Sequence, residues 1–128
     1  MSFAVPSGFS SGTSHGNTTE VGPLWNDLYA SGAELVVNGH EHVYERYAPQ
    51  RPDATADPAF GIREIVAGTG GNSLYPFGSP QPNSQVRNNT TNGVLKLTLR
   101  ADSYDFNFVP VAGQTFTDSG SGACHGRP

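Results

Sequence analysis

The chain has 128 residues, 35% of them hydrophobic, and a formal charge of −4, which fits one domain spanning 1–128 with a single modest core rather than two domains. An acidic balance without a Lys/Arg cluster argues against nucleic acid or an anionic membrane surface as partner, and no apolar run reaches the length of a transmembrane helix. Sixteen Gly and ten Pro without a collagen-like period predict a loop-rich, mainly β chain in which long helices are scarce.

In chain order, residues 1–19 are dominated by Ser, Gly and Thr with Phe3, Val5 and Phe9 as anchors, and read as loop with room for one short strand. His15 lies in this stretch and on composition reads as a solvated loop histidine. Apolar spacing through Val21, Leu24, Trp25, Leu28 and Tyr29, with Pro23 in a first turn and Gly32 beyond the end, predicts a helix over about 20–31. Its Trp25 and Leu28 face is expected to pack on the sheet containing Leu35–Val37, a short buried strand.

Tyr47–Phe60 reads as a Pro-rich loop in which Asp53 and Asp57 are turn residues rather than ligands. Residues 62–67 alternate as a strand that ends in Gly68-Thr69-Gly70-Gly71. That turn lacks a G-K-[ST] ending, so it is no phosphate loop, but it is expected to pass close to the site. Residues 73–92 read as irregular. Gly93–Arg100 and Ser103–Val109 alternate on either side of Ala101-Asp102 and predict a hairpin, with Leu95, Leu97 and Leu99 on one core face and Tyr104, Phe106 and Phe108 on the other. Phe116 is expected in a last short strand, and residues 118–128 read as a flexible tail. Cys124 is the only cysteine, which excludes an internal disulfide and a C-x-x-C site.

Chemistry concentrates in Asn38-Gly39-His40-Glu41-His42-Val43-Tyr44-Glu45-Arg46. Two imidazoles one residue apart at a strand's end would point to one side of an extended backbone, where they could hold one metal each or share one. Asn38, Gly39, Glu41, Tyr44 and Glu45 are candidate supporting residues, Gly39 as the point of a sharp turn. The structural alternative is one imidazole hydrogen-bonded in the core and the other exposed.

This stretch resembles the closing G-H-x-H motif of the calcineurin-like metallophosphoesterases, in the form seen in purple acid phosphatase-like proteins. Phe9-Ser10-Ser11-Gly12 with His15-Gly16, Pro23-Leu24-Trp25 with Leu28-Tyr29, Gly68-Thr69-Gly70-Gly71 and the tail from Phe116 to His125 are similar to that family's segments in the same order. The family's D-x-H, G-D-x-x-D and G-N-H-[DE] motifs have no counterpart here. The resemblance therefore implies the C-terminal portion of such an enzyme: an α+β-like half of a β-sandwich flanked by helices, from a parent that is secreted or periplasmic.

By resemblance His40 binds one metal ion and His42 the other, with Fe, Zn or Mn as the ions, while His15 assists the leaving group or the phosphate. The implied reaction is metal-assisted hydrolysis of a phosphate ester, a hydrolase chemistry. Two ligands leave most of a metal's coordination to water, so this chain alone is expected to bind metal weakly or not at all and to be inactive or weakly active. A homodimer through exposed sheet surface is also expected. The other class of reading is a non-catalytic β-rich binding or assembly module with a vestigial His pair.

Overall fold

The computed structural model describes residues 7–128; Phe3 and Val5, two of the three expected anchors, lie outside the described residues. A 3-10 turn at Thr19–Val21 leads into α1, Gly22–Ala30, with Pro23 in its first turn. Gly32, at φ +81°, ends the helix in a Schellman arrangement: Gly32 N–H donates to Tyr29 O and Ala33 N–H to Leu28 O, both at 3.0 Å. Nine residues are too few for a helix to stand alone in water. Trp25, buried, meets the ring of Phe9 edge-on at 5.3 Å, and the Tyr29 hydroxyl donates to Asp57 at 2.7 Å. The helix is therefore pinned to loops on either side of it, through Phe9 and Asp57.

The strands form two sheets. The first contains β1 (Leu35–Asn38), β2 (Tyr44–Tyr47), β3 (Arg63–Ala67) and β4 (Ser84–Asn88) in the order β1-β3-β2-β4. Its β1 and β3 run parallel and its other pairs antiparallel. The second contains β5 (Gly93–Leu99), β6 (Ser103–Pro110) and β7 (Ser119–Ala123), all antiparallel. The chain is thus mostly β with one short helix. One core joins the sheets: Tyr44 and Ile65 from the first meet Tyr104, Phe106 and Phe108 from β6, with Leu35, Ala67, Val86, Leu95 and Phe116 around them.

Four expectations are corrected. Residues 73–92, read as irregular, hold β4, which exists by pairing with β2, and β1, read as a buried strand, is a sheet edge with Val37 exposed. Alternation in β6 buries Tyr104, Phe106 and Phe108, but of its hairpin partner only Leu95 is drawn in; Leu97 and Leu99 are 37% and 72% exposed. β5 is an edge strand, and no layer of the described residues covers its far end. Residues 118–128 are not simply a tail, because Ser119–Ala123 pair with β6. That strand carries no large apolar side chain and pairs because Gly120 and Gly122 lie flat on aromatic rings. A Cβ there would sit 2.7 Å from the Phe106 ring and 2.4 Å from that of Tyr104. Asp118 fixes its start, accepting from Arg46 Nε at 2.6 Å and from the Tyr44 hydroxyl at 2.8 Å. Phe116 precedes this strand and packs against Tyr44 and Phe108.

Candidate functional site

Register brings the site's loops together. Asn38 ends β1 opposite Val66, and Tyr44 opens β2 opposite Ala67, so residues 39–43 and the turn from Gly68 leave the same end of the sheet. Gly68 N–H donates to Val43 O at 3.0 Å, and a Cβ on Gly68 would lie 2.0 Å from Glu41 O and 2.6 Å from Gly39 O. The glycine-rich turn thus passes against the histidine segment, as expected. The close approach belongs to Gly68, however. A Cβ on Gly39 would meet its nearest neighbour at an ordinary 3.5 Å.

His15, His40 and His42 come from two separate segments and meet in one row of rings. The centroids of His15 and His40 are 4.1 Å apart, and His42 stacks on Tyr75 at 4.2 Å with 16° between planes. Tyr75 also lies 5.9 Å from His15. His42 Nδ1 is 3.0 Å from Ser73 O. A carbonyl oxygen only accepts, so Nδ1 is the protonated nitrogen and the Nε2 lone pair of the neutral ring is left free for a ligand. Tyr75 was not legible as a site residue, since it sits in a Pro- and Ser-rich stretch without periodicity.

The polar residues of the motif turn away from the imidazoles. Glu41, Glu45 and Glu64 are fully buried, and each accepts hydrogen bonds from the loop at 7–17. Glu64 takes Gly8 N–H and Phe9 N–H, both at 3.0 Å. Glu45 takes Ser11 N–H at 2.7 Å and the hydroxyls of Ser11 and Ser84. Glu41 takes Ser14 N–H at 3.1 Å and His15 N–H at 2.9 Å. Asn38 donates to Glu64 and accepts from Ser7, while Tyr44 lies in the core. These side chains form the wall behind the site, and a buried carboxylate satisfied by several donors replaces the sheet pairing the loop lacks.

Burial pushes the Glu64 carboxyl up to about 8, against the pull of its Asn38, Phe9 and Gly8 donors. Burial likewise raises the Tyr44 hydroxyl well above its usual value, reinforced by its bond to Asp118. Asp57 is held below the ordinary carboxylate range by the Tyr29 hydroxyl, the Phe60 amide and Arg51. It is a turn and anchoring residue, and Asp53 caps its own turn through Thr55 N–H at 2.9 Å.

Among the described residues no three His, Cys, Asp or Glu side chains converge to hold a metal ion. His40 and His42 offer imidazole nitrogen, but the carboxylates beside them in the motif, Glu41 and Glu45, are committed to the loop. In comparison with known proteins, no family model and no curated protein matches the chain.

Proposed function

We propose that this chain is the C-terminal portion of a calcineurin-like metallophosphoesterase of the purple acid phosphatase-like type, its two sheets being part of that family's β-sandwich. The observation that supports this most is the 4.1 Å approach of His15 to His40, because it joins the two segments on which the resemblance rests. The free Nε2 of His42 suits metal ligation, since a backbone carbonyl on Nδ1 is a common way to orient a ligating ring. His40 and His42 would hold the ions, and His15 would serve the leaving oxygen of a phosphate ester. Bound ions supply charge neutralisation and a nucleophilic water; the chain's own part is to present three imidazoles on a dry, carboxylate-braced wall. With the remaining ligands absent, the chain alone hydrolyses phosphate esters weakly or not at all.

Zinc titration followed by histidine NMR signals tests this reading. Zinc is expected to perturb His40 and His42 with weak affinity, and His42→Ala to lower that affinity by about tenfold or more. Hydrolysis of p-nitrophenyl phosphate with added zinc, iron or manganese is expected to stay at background. Robust turnover would overturn the incompleteness, and an absence of any zinc response would remove the metal reading.

One feature favours an assembly role as a second reading. Val37 on β1 and Leu97 and Leu99 on β5 are exposed around a groove of about 430 Å³ that Leu35 and Tyr104 also line. β1 pairs in parallel and is apolar on both faces, yet it forms a sheet edge, a place where parallel strands rarely end uncovered. We expect a homodimer through this face, which sedimentation would detect at tens of micromolar, with Leu99→Lys returning a monomer. A clean monomer at high concentration would refute it.

A further inference from the structure

We infer that Glu41 is the positioning residue that seats His15 over His40. The loop at 7–17 contains no strand, only an isolated bridge between Gly12 and Phe77, and its large apolar side chain, Phe9, is spent on Trp25 and Tyr47. His15 is exposed. Its ring lies tilted against that of His40, 4.1 Å between centroids, a contact too weak on its own to hold a Gly/Ser loop against chain entropy.

What fixes the backbone beneath that ring is Glu41. Its two oxygens accept the consecutive amides of Ser14 and His15, one each, from a side chain that is itself fully buried. Two successive N–H groups on one carboxylate set the direction of the chain, and with it the exit of the His15 side chain. The loop closes on the carboxylate at Gly12 as well, where a Cβ would lie 2.0 Å from Glu41 Oε1. Because Glu41 sits between His40 and His42, the peptide that carries the two metal-facing rings also carries the clamp for the third. This arrangement couples the position of His15 to the motif itself, so the rings at 15 and 40 keep their spacing whatever the exposed part of the loop does. The consequence for catalysis, an imidazole held at fixed distance from a ligand ring, rests on the phosphoesterase reading above.

The test uses hydrogen exchange and NMR on the unmodified chain and on Glu41→Gln. In the unmodified chain the Ser14 and His15 amides, although exposed by residue, are expected to exchange on the order of 10- to 100-fold more slowly than Gly16, and the His15 and His40 rings to show cross-relaxation. In Glu41→Gln one amide faces an –NH2 donor. That protection and the ring-to-ring signal should both be lost while the ring-shifted signals of Phe106 and Phe108 persist. Exchange of Ser14 and His15 as fast as Gly16 in the unmodified chain overturns the inference without any variant having to fold, and so does a His15–His40 signal that survives Glu41→Gln. A missing zinc response at His42 would count against the phosphoesterase reading alone; the exchange and ring-contact results decide the role of Glu41 independently of it.

Discussion

Gly68→Ala is expected to destabilise the chain by about 3 kcal/mol or more and to abolish the zinc response proposed for His40 and His42. The added methyl would lie 2.0 Å from the Glu41 carbonyl oxygen and 2.6 Å from that of Gly39, both far inside contact distance. Both neighbours are backbone, so no side chain can rotate out of the way. Relief requires moving either the end of β3 or the histidine segment, and overpacking of this kind typically costs about 1–3 kcal/mol even where side chains can adjust. Moving residues 39–41 also displaces the carboxylate that holds Ser14 and His15. Gly70→Ala is the control, since a Cβ there meets nothing within 4 Å and its φ is not positive. It should be neutral, or slightly stabilising through the unfolded state. Urea unfolding of the two variants checks both statements, and equal midpoints for Gly68→Ala and Gly70→Ala would refute the first.

The contrast between those two glycines shows where the sequence was readable. A glycine-rich turn after an alternating strand was recognisable as lying near the histidines, but only the register of β1, β2 and β3 tells which glycine has no room for a side chain. The same holds for the strands. β6 alternates and was found from its pattern. β2 is buried on nearly every residue, reading Tyr-Glu-Arg-Tyr, because its charged groups are paired inside with Ser11, Ser84 and Asp118. Hydrophobic periodicity cannot detect a strand whose buried positions are carboxylates. β4 and β7 are polar or glycine-rich and exist by pairing with a neighbour. At the site, His40 and His42 were readable as candidates from their own motif, and His15 only through the family resemblance. Their assembly was not, because the contacts that create it are buried Glu-to-amide bonds, and nothing in a lone Glu41 or Glu64 distinguishes an internal acceptor from a solvated carboxylate.

Glu64 leads to the second large effect: between pH 5 and 8 the chain is expected to lose stability as pH rises. Its carboxyl is raised from 4.5 to about 8 in the folded chain, chiefly by burial. Below 4.5 both states hold the proton and nothing is lost. Between those values the folded state binds a proton that the unfolded chain releases, so each step up in pH favours unfolding. Over the full window the effect approaches about 5 kcal/mol at about 1.4 kcal/mol for each pH unit. Asp57 acts in the opposite sense and at lower pH. Its carboxyl is held below its ordinary value of 3.8, so the stability it gives is present above that value and falls away in stronger acid. The contributions of these two groups together are greatest near pH 4–5. Urea unfolding at pH 5, 6, 7 and 8 measures the slope, and Glu64→Gln, which cannot ionise, should flatten it. The variant also gives up one acceptor for Gly8 or Phe9, so its stability at pH 5 should lie below that of the parent chain and the two curves should converge as pH rises. A parent whose stability is constant or increasing from pH 5 to 8 would show that the Asn38, Gly8 and Phe9 donors outweigh burial and keep Glu64 ionised.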